Sequence, residues 1–470
     1  MRRIFVEFAL VGALTGLAAA QTPSQPVDRT RPPSTPPIPS YKLPPIERST
    51  LPNGLEVVLV EDNRFPLVTA RLNFTAGAKY DPQDIPGLSE AVAALLTEGT
   101  KTRNSRQISE EIDAIGGSLS GFTGPDGMTV AGGALSENLS KLIGLMADVS
   151  INASFPDDEV RLQQQNRAEN LRAERSQPSF LAQEKFAAAV YGTSPYAHIA
   201  PTEASIAKMD VKTLINFRDT YLAPNNAALI LLGKLPPHDD VMKIITNAFG
   251  AWPKRGLPAA PKVEPPAARR QIILVDRPGS VQADIHAGRL APTRLTSEYF
   301  PLSVGSTILG GGGSSRMFVD IRERDGYAYD AHSEYATNRD SASFAAVTEV
   351  RNEVIEPALK EVLDEMNRMA TQPVTGAELS NVKNYMSGLY LLRLETQDGV
   401  ANQLNNMKTL GLPENYLETY VTRVRSVEPG QIQAVARNYM SPDQAAIVVV
   451  GDASVIGDTL KKFGQVTVVK

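Results

Sequence analysis

Residues 221–233 read YLAPNNAALILLG, and residues 439–451 read YMSPDQAAIVVVG, 218 positions later. Each is a turn with Asn or Asp beside Pro, then a short apolar run ending in Gly. That is the pattern of a buried strand. Each follows a helix-like stretch, residues 211–220 and 431–438. Upstream lies a second matching pair, Val57-Val-Leu-Val60 and Ile272-Ile-Leu-Val275. Two matches in the same order mark two copies of one αβ domain.

Proline sets the boundaries. Residues 22–47 hold nine prolines, and residues 253–270 hold five. Such segments cannot pack and read as extended connectors. The expected organisation is a tether over 21–49, one domain over 50–252, a linker over 253–270 and a second domain over 271–470. Val68, Ala70, Leu72 and Phe74 alternate with polar residues, the signature of a strand with one buried face. Leu139, Leu142, Ile143 and Met146 form one helical stripe. Ser105 caps a helix through Ile108, Ile112 and Ile115, closed by Gly116-Gly117. These patterns predict an α+β fold, two tandem αβ domains, each a largely antiparallel sheet with helices on one face.

Composition narrows the function. The chain has 470 residues, 42% hydrophobic and 21% charged, with a formal net charge of -5. This is no polycation built for nucleic acid. Arg2 and Arg3 precede an apolar run over 8–20 that ends in Ala18-Ala19-Ala20. The run is too short to span a bilayer, so residues 1–20 read as a signal peptide cleaved near Ala20/Gln21. With no cysteine, disulfides, thiolate metal sites and a lipid-modified cysteine are excluded. The expected compartment is the periplasm, with no membrane insertion by the mature chain.

Residues 86–100 read PGLSEAVAALLTEGT. This stretch resembles the H-x-x-E-H helix of the pitrilysin/insulinase family of zinc metallopeptidases, roughly G-L-A-H-F-L-E-H-M-L-F-K-G-T. Gly87, Leu88, Leu96, Gly99 and Thr100 hold that frame. The resemblance runs from about Leu51 to the C-terminus and includes LPNGLEVVLVED (51–62) and IDAIGGSLSGFTGPDG (112–127). It implies a fold like that of the mitochondrial processing peptidase.

The resemblance also shows what is missing. Glu90 stands at the first zinc histidine, Ala93 at the general-base glutamate and Ala94 at the second histidine. The third ligand, a glutamate on a later helix, falls on Asn170, beside Glu169. A catalytic zinc needs about three protein ligands and an open position for water. The four histidines, His198, His238, His286 and His332, share no helical face, and each reads singly as a surface or core residue. Glu90 itself reads as a solvated helix charge. No metal is expected on this chain.

The second domain keeps more of the pattern. Residues 310–329 read GGGGSSRMFVDIRERDGYAY, similar to the family's G-G-G-x-S-S-R-L-F-x-E-I-R-E-K-R-G-L-A-Y. The resemblance implies that Arg322 and Tyr329 hold a substrate carbonyl near a zinc site, with Gly311 and Gly312 in a flexible turn beside the peptide. Tyr327 is a competing tyrosine. From spacing alone, Arg322-Glu323-Arg324-Asp325 would be a charged helix surface. The glycine run lacks the Lys-Ser/Thr of a phosphate loop.

The resemblance therefore implies a non-catalytic subunit of a periplasmic heterodimer. An H-x-x-E-H partner would carry zinc, and the substrate would be an unstructured peptide. The alternatives are a peptide-binding or assembly protein of the same fold without proteolytic role, and a lone enzyme with a relocated site.

Overall fold

The computed structural model describes residues 43–264 and 266–469. The expected signal peptide and most of the tether lie outside the described residues. The last residues of the proline-rich stretch join the fold, because a strand already begins at Ile46.

The first half forms a six-stranded sheet from β1 (Ile46–Thr50), β2 (Glu56–Glu61), β3 (Leu67–Phe74), β4 (Ser118–Thr123), β5 (Met128–Leu135) and β6 (Ala227–Gly233). Its order is β1-β2-β6-β3-β5-β4. The second half repeats this with β7 (Gln271–Asp276), β8 (Gln282–Ala291), β9 (Ala328–Thr337), β10 (Ala342–Arg351), β11 (Ala446–Gly451) and β12 (Val466–Val469). Its order is β12-β7-β11-β8-β10-β9. The repeated apolar runs of the sequence are β6 and β11, one in each sheet, buried along their whole length.

Both sheets are mixed. β2 and β6 run parallel in the first, and β7 runs parallel to both β11 and β12 in the second. The parallel pairs join strands far apart in sequence, with helices in between, as parallel pairing requires. The remaining pairings are antiparallel.

One face of each sheet carries its own helices. In the first half, Val68, Ala70, Leu72 and Phe74 of β3 pack with Leu139, Leu142, Ile143 and Met146 in one core. The opposite face of each sheet takes a helix from the other half. Helix Pro178–Tyr191 places Ala182, Phe186 and Val190 against Val275, Ala345, Val347, Val448 and Val450 of the second sheet. Helix Gln397–Leu410 lies on the first sheet, packing Val400, Leu404 and Met407 with Val58, Val60, Ile230 and Leu232. The two helices stand about one 218-residue repeat apart, so the exchange is reciprocal.

Polar bonds fix this docking. Arg71 of β3 pairs with Asp398 and donates to the Asn402 side-chain oxygen at 3.0 Å. Asn405 donates to Thr129 Oγ1 at 3.1 Å, and Gln397 donates to the Asp62 carbonyl at 3.1 Å. Lys79, 2% exposed, lies 2.6 Å from Asp340 in the β9–β10 turn and 3.5 Å from Asp126. A buried ammonium is tolerated only with such partners.

Truncating an exchanged helix therefore tests whether the halves fold as one. Phe186→Ala should lower stability by about 3–5 kcal/mol. Urea unfolding followed by circular dichroism should keep a single transition. A separate early transition for one half would contradict the interlocked arrangement.

Candidate functional site

Helix Leu88–Leu95 begins at Gly87, whose φ of +91° is the left-handed conformation that glycine adopts without strain. The Asp81 carboxylate accepts from the backbone N–H of Gly87 and of Ser89, both at 2.8 Å, and so caps the first turn. Burial nevertheless pushes the Asp81 carboxyl up to about 7, against the effect of those bonds. The helix lies hard against β4. A Cβ at Gly121 would sit 2.2 Å from the Ala93 carbonyl oxygen, so glycine permits the close approach. Ala93 is buried at 1%, whereas Ala94 is exposed.

Glu90 points to the long helix Asp157–Arg175. Arg167 Nε stands 2.9 Å from Glu90 Oε1, off the line of a hydrogen bond, so the contact is an ion pair. Arg167 Nη1 donates to Glu174 Oε2 at 3.0 Å. Burial raises the Glu90 carboxyl, Arg167 opposes the rise, and Glu174 adds to it.

The residue that meets Glu90 is thus not Asn170. Asn170 and Glu169 are exposed, while Arg167 and Glu174, two turns apart, share the inward face. Nor is Glu90 a free solvated charge, since a guanidinium holds it. This donor set does not fit zinc. Alanine offers no ligand at 93 or 94, and the guanidinium between the two carboxylates would repel a dication.

The second cluster lies in the other half. Phe318–Arg324 winds as a π-helix, a rare form that recurs at functional sites. It stacks the Arg322 guanidinium on two rings, 4.5 Å from the centre of Phe318 and 4.8 Å from that of Tyr329. Such cation–π contacts hold a guanidinium without neutralising it. Tyr329 is 85% exposed. Tyr327 behaves differently, packing against the core and donating its N–H to the Ile321 carbonyl at 3.0 Å.

The charged-surface reading applies to the neighbour. Arg324 lies 2.6 Å from Asp320, 2.9 Å from Asp325 and 2.8 Å from Glu361. Arg322 has no carboxylate partner among the described residues. Upstream, helix Tyr299–Gly310 ends into Gly311 and Gly312, and a Cβ at Gly312 would meet nothing within 4 Å.

The structure brings Arg322 and Tyr329 together and keeps Glu90, Ala93 and Ala94 on one helix. No hydrogen bond or ion pair among the described residues joins the two clusters. Sequence reasoning missed Arg167, Glu174 and Phe318. Their signals were the seven-residue interval from Arg167 to Glu174 and the four-residue interval from Phe318 to Arg322. It also missed that His286 and His332 flank Val347 from the two neighbouring strands. Burial pushes His286 down to about 4. His332 is raised by Glu334 and Asp330.

Comparison with known proteins bears on the family and the fold. Residues 56–201 match the family model described as Insulinase (Peptidase family M16), and residues 208–386 match the one described as Peptidase M16 inactive domain. The uncharacterized zinc protease YmxG of Bacillus subtilis (strain 168) is 22% identical over 405 residues, spanning 86% of this chain and 98% of that protein. An uncharacterized zinc protease of Mycobacterium leprae (strain TN) is 26% identical over 410 residues, spanning 85% and 91%. The crystal structure of a peptidase M16 inactive domain from Pseudomonas fluorescens superposes with a TM-score of 0.80 at 26% identity, covering 87% of this chain and 98% of that one. A protease from Helicobacter pylori has the same fold, with a TM-score of 0.80 at 20% identity, covering 87% and 100%. With two sheet-plus-helix domains in the M16 arrangement, the chain belongs to the insulinase-type peptidase family M16 and carries that family's inactive domain over residues 208–386.

Proposed function

We propose that this chain is the non-catalytic subunit of a periplasmic heterodimeric metallopeptidase and lends Arg322 and Tyr329 to a partner's active site. The observation that carries this reading is the state of Arg322. Its guanidinium is held between Phe318 and an exposed tyrosine, with no carboxylate paired to it among the described residues. A structural arginine is normally paired, as Arg324 is.

The chemistry follows from charge. Attack on a peptide carbonyl puts negative charge on its oxygen. A guanidinium N–H and a phenol O–H directed at that oxygen stabilise the charge, and one such donor is worth about 3–4 kcal/mol. Zinc, general base and attacking water belong to an H-x-x-E-H subunit. This chain supplies donors and a surface for an unstructured peptide.

The test is co-expression with an H-x-x-E-H partner and cleavage of unstructured peptides. Arg322→Ala should lower kcat by about 10²–10³, the usual loss for one oxyanion donor. Tyr329→Phe removes only the hydroxyl and should lower it in the same direction, while light scattering still shows the dimer. Unchanged turnover in both variants would leave an assembly or peptide-holding protein as the better reading.

A second expectation concerns metal. The purified chain alone should carry no stoichiometric zinc by elemental analysis, because Arg167 occupies the place between Glu90 and Glu174. About one zinc per chain, removable by chelator with loss of activity, would overturn the division of roles.

A further inference from the structure

Strand β8 outruns one of its neighbours. It pairs with β10 along its whole length, but with β11 only from Asp284 to Gly288. Beyond Gly288, the β11 side of Arg289 and Leu290 is left open. Two cavities lie at this end of the sheet and share Arg289 and Gln444. The first, about 400 Å³, has apolar walls from Ala188, Val190, Pro266 and Leu290, and Arg269 also lines it. The second, about 440 Å³, is lined by Arg437, Tyr439, Ser441 and Asp443. Both volumes fall in the ordinary range of small-ligand sites, roughly 300–1,000 Å³.

The charges on these linings do not balance. Arg269, Arg289 and Arg437 face one carboxylate, Asp443, which already accepts from Ser441 Oγ at 3.3 Å. Arg289 Nε is buried and donates to no acceptor. Burial lowers the Arg289 guanidinium from its ordinary range, and Tyr439 alone opposes the shift, so no carboxylate supports its charge. The nearest candidates are otherwise engaged or elsewhere. Tyr439 donates its hydroxyl to Glu298 at 3.0 Å, and Glu264, two residues before Pro266, lines neither cavity. Arg437 donates only Nε, to the Ala370 carbonyl at 3.1 Å. Arg270 is held by the carbonyls of Pro442 and Phe463, which leaves Arg269 as the exposed cation of that segment.

We propose that this end of the second sheet binds a carboxylate carried on a short aliphatic body. The carboxylate would lie against Arg289, where the two cavities meet, and the body along Ala188, Val190 and Leu290. Arginine suits the head, because its fork of N–H donors can take both oxygens of a carboxylate. The apolar wall suits the body, which leaves water when it binds. A free aliphatic acid and the C-terminus of a peptide with an apolar last residue both present this chemistry. The site uses neither Arg322 and Tyr329 nor any residue of helix Leu88–Leu95, and it needs no partner.

Calorimetric titration of the whole chain tests it with two pairs of probes. One pair is hexanoate and hexanamide, and the other is acetyl-Gly-Leu with a free C-terminus and its amide. In at least one pair the acid should bind about tenfold more tightly than its neutral counterpart, and more tightly than acetate, which is the head without the body. A preference in the peptide pair assigns the site to a chain terminus, and one in the hexanoate pair alone assigns it to a free aliphatic acid. Arg289→Gln should erase the preference, and Ala188→Phe should weaken the acid by filling the apolar wall. Should Arg289→Gln fail to fold in a thermal melt, Arg269→Gln changes an exposed side chain and should still weaken the acid but not the neutral probe. Equal affinity within both pairs, no binding of any acid, acetate binding as tightly as the longer acids, or a preference indifferent to the glutamine variants would overturn the proposal. Because no turnover is measured, its failure leaves the trans-acting role of Arg322 standing, and the reverse also holds.

Discussion

The structure depends on the reciprocal exchange of two helices. A sheet with helices on one side leaves its other side wet, and such a strand should alternate apolar with polar residues. β6 and β11 do not alternate. They are apolar throughout because Pro178–Tyr191 covers one sheet and Gln397–Leu410 covers the other. Neither half can expose that second face cheaply, since each buried Val, Leu or Ile is worth about 1.5–3 kcal/mol. The halves are therefore held by their sheets, and the 253–270 segment adds smaller contacts, with Val263 packed by Tyr191 and Tyr196 and Arg255 exchanging two hydrogen bonds with Asn225. The same docking sets Phe186 of one half against Ala345 of the other.

Electrostatics separates the two ends of the chemistry. On the Leu88–Leu95 side, the single cation Arg167 is shared by Glu90 and Glu174, and the capping carboxylate of Asp81 is engaged at a helix start. At the other end the π-helix sorts its two arginines. Arg324 takes three carboxylates, and Arg322, two residues earlier, takes aromatic rings instead. An arginine stacked on rings keeps its N–H groups available for an incoming oxygen, which a salt-bridged arginine does not.

Much of this was legible in the sequence. The 218-residue repeat located β6 and β11, and the alternation through Val68–Phe74 located the core face of β3. Other features were not legible. Asn170 came from the resemblance alone, and the rotation of Asp157–Arg175, set by packing at Val160 and Leu171, is what turns Arg167 and Glu174 inward. Local periodicity likewise says nothing of which half a helix packs on. His286 and His332 are 46 positions apart and meet only through the β8–β10–β9 pairing. Tyr327 and Tyr329 look equivalent in a strand pattern. They differ because β9 begins at Ala328, which leaves Tyr327 bound back to Ile321 and packed on the core.

The repeat also supplies an internal comparison. Helix Gly376–Leu394 matches Asp157–Arg175 at an offset of 219, which aligns the buried Val160 and Leu171 with the buried Leu379 and Tyr390 and sets Arg167 and Glu174 against Met386 and Arg393. The same fold thus accepts a buried methionine at the place of Arg167. Nothing in the architecture calls for an arginine and a glutamate there. The ion network of the first half is a property of its site, not of the domain. The strands show the opposite, since β6 and β11 are buried and apolar alike. The two copies therefore agree where the sheet must be filled and differ where the helix meets Glu90. The core is set by the fold that both copies share, and the Glu90–Arg167 contact belongs to the first copy alone.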